Sequence, residues 1–103
     1  MDQYYIEAGV HRAIALRENG LQVAPAILYK PGEPPKLIWV SLDQLHSHRP
    51  SISRSDPRHN YPALERAMAT ALGRSRMPPL ELQPLGIPGQ PATIPLSQVN
   101  LEA

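Results

Sequence analysis

The stretch "VHRAIALRENGLQVAPAIL", residues 10–28, decides the fold of this chain. Its Asn19-Gly20 pair is either the tight turn of a β-hairpin or the end of a helix that begins near Tyr4. For a helix, Ile6, Val10, Ala13, Ile14 and Arg17 share one face, and Gly20 suits the left-handed position past a C-terminus. Leu16 and Gly9 disturb that pattern. For strands, Tyr4, Ile6, Ala8, Val10, Ile14 and Leu16 alternate with Tyr5, Glu7, Gly9, His11, Ala13, Ala15 and Arg17, with only Arg12 out of place on the apolar face. Asn-Gly also satisfies the positive φ that both central residues of a type I′ turn require. The alternation favours a hairpin with Leu16 facing Val23 and Val10 facing Tyr29, and a bend or bulge near Gly9, because so long a strand does not stay flat. Pro25 then interrupts pairing in the second run, since it brings no N–H to a ladder.

Downstream, "AILYKPGEPPKLIWVSL" contains two β-rich runs around a Pro/Gly turn, so residues 26–30 and 36–42 are expected to pair antiparallel. The consecutive apolar residues Leu37, Ile38, Trp39 and Val40 predict a sheet covered on both faces. Ser41 and Gln44 have capping-box spacing, placing a helical turn from Leu42. Residues 46–60 hold Ser, Arg, His and Pro and read as a loop. In "NYPALERAMATALGRSR", Asn60 can cap a helix whose stripe is Tyr61, Leu64, Met68, Ala71 and Leu72, ended by Gly73.

The tail combines prolines at 78, 79, 84, 88, 91 and 95 with the aliphatic residues Leu80, Leu82, Leu85, Ile87, Ile94, Leu96, Val99 and Leu101. The prolines argue against a regular helix or a central strand, and the aliphatic content is high for a disordered linker. An extended arm lying along a surface, its own or a partner's, fits both facts.

These elements predict an α+β fold. A three-stranded antiparallel meander comes from the first 42 residues and curls towards a barrel if it bends at Gly9; one helix at about 61–73 covers it. Residues 1–76 form the domain and residues 77–103 the proline-rich apolar arm. The alternative is α-β-β-α, with residues 4–18 helical.

Composition narrows the chemistry. The chain has 103 residues, no Cys, no Phe and a single Trp, so its core is aliphatic and it has neither disulfides nor thiolate chemistry. The start "MDQYYIEAGV" lacks a basic n-region and an apolar h-region, and no run is long enough to span a membrane, which predicts a cytoplasmic protein with no membrane partner. No phosphate-binding glycine loop and no nucleophile elbow occur. His46, His48 and His59 have spacing open to a metal but sit in a predicted loop, and solvated histidines are the expectation, with no metal or cofactor. Ser41, Asp43 and His46 lie too close in sequence to be read as a triad without spatial geometry.

Two functional readings remain. In the first, the chain is a non-enzymatic interaction module or small assembly subunit that docks on a protein partner or on its own copy through Trp39, Leu80, Leu82, Leu85, Ile87, Ile94 and Leu96. A thin core and an apolar tail leave more apolar surface than so small a domain hides. In the second, it is a nucleic-acid-binding regulator that uses the basic 46–76 stretch. There Arg49, Arg54, Arg58, Arg66, Arg74 and Arg76 outnumber Asp56 and Glu65. The overall net charge of only +1 and the scarcity of stacking aromatics weigh against that reading.

Overall fold

The computed structural model describes residues 1–56 and 79–102. The expected helix at 61–73, its cap Asn60, His59, Arg58, Arg66, Arg74 and Arg76 lie outside the described residues. Those that are described form a mixed α+β structure: β1 Tyr4–Ala8, α1 Val10–Glu18, β2 Val23–Leu28, β3 Lys36–Ser41, β4 Leu45–Ser47, β5 Ser51–Ser53, β6 Leu80–Pro84, β7 Ile94–Pro95 and β8 Asn100–Glu102. Short 3₁₀ turns occupy Leu42–Gln44 and Leu96–Gln98.

The three-stranded meander is corrected to a six-stranded mixed sheet, in the order β3-β2-β6-β1-β4-β7, with a separate two-stranded ribbon of β5 and β8. The hairpin at Asn19-Gly20 is likewise corrected, because residues 10–18 are helical and Asn19 ends the helix. Asn19 Nδ2 donates to the carbonyl of Ala15 at 2.8 Å, and Gly20 takes a φ of 75°. The alternative with 4–18 wholly helical fails for a complementary reason, since Tyr4–Ala8 is a strand paired with both β4 and β6.

Gly9 separates strand from helix. Its φ of 109° lies in a region that side chains avoid, and its carbonyl accepts the N–H of Ala13 at 2.8 Å, which starts α1. The anticipated bulge is present just before it, where the β1–β6 register shifts between Ile6 and Ala8. Leu16, which disturbs the helical stripe in sequence, is buried together with Ala15. Both flanks of α1 carry contacts. One packs on the sheet, and at its end Arg17 Nη1 donates to the carbonyls of Leu96 and Val99, both at 2.7 Å.

The expectation that the prolines of the tail bar a central strand is corrected. β6 lies between β2 and β1, with Leu80 and Leu82 buried in the core. Pro79 precedes the strand and Pro84 ends it, so residues 80–83 keep their donors. The edge strand β7, with Pro95, obeys the rule. In β2, pairing with β3 runs unbroken through Pro25, while pairing with β6 starts at Ala26. A missing donor at Pro25 on the β6 side therefore leaves no gap in a ladder. Residues 46–60, expected to be a loop, contribute β4 and β5 within their described part. The inner face of the sheet packs Ile6, Ala24, Ala26, Leu28, Val40, Leu45, Leu80 and Leu82 against Val10, Ala13 and Ile14 of α1. Among the described residues, no helix is long and apolar enough to cross a membrane.

Candidate interaction surface

Side chains alternate across a strand, so the register of β2 and β3 determines what their outer face presents. Val23 lies opposite Ser41, Pro25 opposite Trp39 and Ile27 opposite Leu37. The intervening residues Ala24, Ala26, Leu28 and Val40 point into the core. The expectation of a sheet covered on both faces is thus corrected: Leu37 is 70% exposed, Trp39 69% and Val23 56%. The continuous apolar run in β3 arises because one half of it serves the core and the other half faces outward. Scaling typical side-chain areas by these exposures gives roughly 350 Å² of outward apolar surface, the size of the largest patch on an ordinary monomer.

The patch has a polar border. Glu81 of β6 lies beside Ile27, and the phenol of Tyr29 donates to Glu81 Oε1 at 3.2 Å. Withdrawal from water, that hydrogen bond and the negative charges of Glu81 and Glu7 together push the Tyr29 phenol above its ordinary range. Glu7, Ala8, Tyr29, Glu81 and Gln83 line an open cleft at this border. Arg12, half-buried by Gly9, donates to the carbonyl of Pro79 at 3.1 Å. Burial lowers its pKa, and the charge of Glu81 partly offsets that. An apolar centre bordered by satisfied polar groups is the anatomy of a protein-binding surface.

The remaining sequence-predicted residues are dispersed. Leu80, Leu82 and Leu96 are buried in the chain's own core, Ile94 packs against it, and Leu85 and Ile87 are partly buried. Of the predicted contact residues, Trp39 alone stands on the exposed patch. Its neighbours Val23, Pro25, Ile27 and Leu37 were missed, although the period-2 pattern of KLIWVS, once anchored by its partner strand, would have revealed them. Arg49 Nη1 lies 3.3 Å from His11 Nε2, which is itself 3.8 Å from Asp56 Oδ2. The backbone N–H of Arg54 donates to the carbonyl of Glu102 at 2.8 Å.

His46 and His48 engage different partners. His46 Nε2 pairs with Gln3 Oε1 at 2.7 Å, whereas His48 Nδ1 lies 3.5 Å from the Tyr5 hydroxyl, the two rings tilted by 58°. Among the described residues no three His, Asp or Glu side chains are placed to hold a metal ion. Ser41 Oγ is engaged in the capping box, accepting from Asp43 N–H at 3.3 Å while Gln44 Oε1 accepts from Ser41 N–H at 2.9 Å. It forms no triad with Asp43 and His46. No protein-family model, curated protein or solved structure matches this chain.

Proposed function

We propose that this protein is a non-enzymatic interaction module that docks on another protein chain through the outer face of β2 and β3. The observation that supports the reading is Trp39, the chain's single tryptophan, standing 69% exposed beside the 70% exposed Leu37 on a regular sheet face. Tryptophan is enriched among residues that dominate binding energy, and leaving it in water on a rigid strand is costly unless a partner covers it. The Tyr29–Glu81–Glu7 border would supply the polar rim that excludes water from around such an anchor. The proline-interrupted segment has a different role in this reading from the one expected of a free arm: through β6 it pairs beside β2 and so supports the strand pair that carries the patch.

The test is the native mass of the protein in extract of its own cells, compared between the natural chain and Trp39→Arg. A mass well above that of the monomer that collapses to the monomer value in the variant supports docking through this face. A natural chain that migrates as a monomer in extract, with Trp39 fluorescence as red as that of the unfolded protein, overturns it.

A further inference from the structure

β3 is the first strand of the sheet order, and among the described residues no strand lies on its outer side. Which backbone groups face that side follows from two hydrogen bonds. Tyr29 N–H donates to the carbonyl of Leu82 at 2.8 Å, and Leu42 N–H donates to the carbonyl of Gln22 at 2.9 Å. Successive residues of a strand direct their N–H and C=O groups to opposite edges. Odd-numbered residues of β2 therefore face β6, and even-numbered residues of β3 face β2. Leu37, Trp39 and Ser41 face outward. Ser41 N–H is already taken by Gln44 Oε1, and Pro35 has no donor. The edge thus offers the paired donors and acceptors of Leu37 and Trp39, on the two residues whose side chains form the most exposed part of the apolar patch.

We propose that β3 pairs antiparallel with β3 of a second copy, with Ile38 opposite Ile38 across a two-fold axis, so that two six-stranded sheets join into one. This rests on the proposed role of the β2–β3 face and names its partner. Only this register makes Leu37 and Trp39 the hydrogen-bonded pair, so that each copy's outward groups find complements. Centring on Trp39 instead would require the N–H of Ser41, which the capping box holds. Centring on Leu37 would place Pro35 opposite Trp39. In the Ile38 register the Leu37 side chain of one copy meets the Trp39 indole of the other on the outer face, an aliphatic–aromatic cross-strand pair. No like charges oppose each other, because Lys36, the one charged residue of β3, falls opposite Val40. The two-fold axis sets the two apolar patches edge to edge, so that each Trp39 indole is covered on its outer side by the Leu37 side chain of the other copy. Six-residue edges together with these side chains would bury on the order of 1,000 Å² in total, the low end for specific interfaces, so the dimer is concentration-dependent.

The chain has no cysteine, so single thiols can report the register without background. The purified full chain is first examined by sedimentation over a wide concentration range; a monomer–dimer equilibrium weakened at least about 30-fold by Trp39→Arg, with the thermal midpoint of the dilute, monomeric chain unchanged, is expected. Under mild oxidation Ile38→Cys should cross-link to itself, because directly opposed residues bring their Cα atoms within disulfide range. Leu37→Cys and Trp39→Cys should cross-link to each other when mixed and not to themselves. Self-cross-linking of Trp39→Cys with none from Ile38→Cys overturns the pairing proposed. A chain that remains monomeric when pure, yet loses a large native mass in extract on Trp39→Arg, overturns the second copy as partner and leaves the docking face standing. A monomer in both settings overturns both.

Discussion

Substituting Gly9 by alanine tests the hinge on which the fold turns. Gly9 takes a φ of 109°, and a Cβ there would lie 2.7 Å from Leu80 Cδ2 and 3.0 Å from Arg12 Nη2. The left-handed backbone costs an alanine about 1–2 kcal/mol. Arg12 is long and can swing away, but Leu80 is only 1% exposed in the central strand and has little room to move. Over-packing of this kind costs about 1–3 kcal/mol, so Gly9→Ala should lose about 2–5 kcal/mol in all. For a domain of this size that lowers the thermal midpoint by roughly 10–30 °C. Urea denaturation followed by circular dichroism measures the free-energy loss. The Leu80 contribution is isolated by a double-mutant cycle: Leu80→Ala alone removes core volume, but in its presence the Gly9→Ala penalty should shrink by about 1–2 kcal/mol. A Gly9→Ala loss under about 0.5 kcal/mol, or strict additivity with Leu80→Ala, would refute the reasoning.

Arg17 closes the C-terminal segment over α1 with two charge-assisted bonds and is 23% exposed. Arg17→Met should therefore cost about 2 kcal/mol in urea titration, with Arg17→Lys recovering less than half, since the shorter lysine side chain does not carry its ammonium to the place of Nη1, which by itself serves both carbonyls. Ser47 is the one polar residue buried among those described. Its Oγ accepts the N–H of Arg49 at 2.9 Å and donates to the carbonyl of the same residue at 3.0 Å, so Ser47→Ala should cost about 1–3 kcal/mol, and a neutral effect in the same titration would contradict that geometry. For Tyr29 the folded phenol holds its proton more tightly than the unfolded one. That contribution to stability is complete below the ordinary phenol range and fades as pH rises through the raised folded value. Tyrosinate absorbance, with Tyr29→Phe to assign the residue, should show Glu81→Gln moving its titration back towards the ordinary range; no movement would mean that Glu81 is not a cause. Leu37→Ser, on the outer face, should leave the unfolding midpoint of dilute protein within about 0.5 kcal/mol of the natural value, and a larger loss would show the patch to be part of the core.

Features set by neighbours in the chain were legible in the sequence. Ser41 and Gln44 cap a turn at Leu42–Gln44 because both halves of a capping box lie within one turn. The Pro/Gly segment joins β2 to β3 because it can do little other than turn, and Gly9 marks a break because only glycine accepts its backbone. The exposed site was legible only at Trp39. Its companions needed the knowledge that β2 covers one edge of β3 while the helix takes one face.

The tertiary structure alone decided between the two readings of residues 10–28 and the place of the proline-rich tail. Residues 10–16 alternate like a strand because α1 is enclosed on two sides: Ala13 and Ile14 serve the sheet, Leu16 serves the core that also holds Leu96 and Val99, and a helix buried so widely loses its single stripe. Those enclosing residues come from the far end of the chain. Leu80 and Leu82 likewise become a central strand only because β1 and β2, more than fifty residues earlier, leave a gap between them that an extended apolar segment fills. Local propensity sees the prolines at either end of that segment. Burial of the leucines between them outweighs it, and no pattern within the segment itself reveals that the partner strands exist.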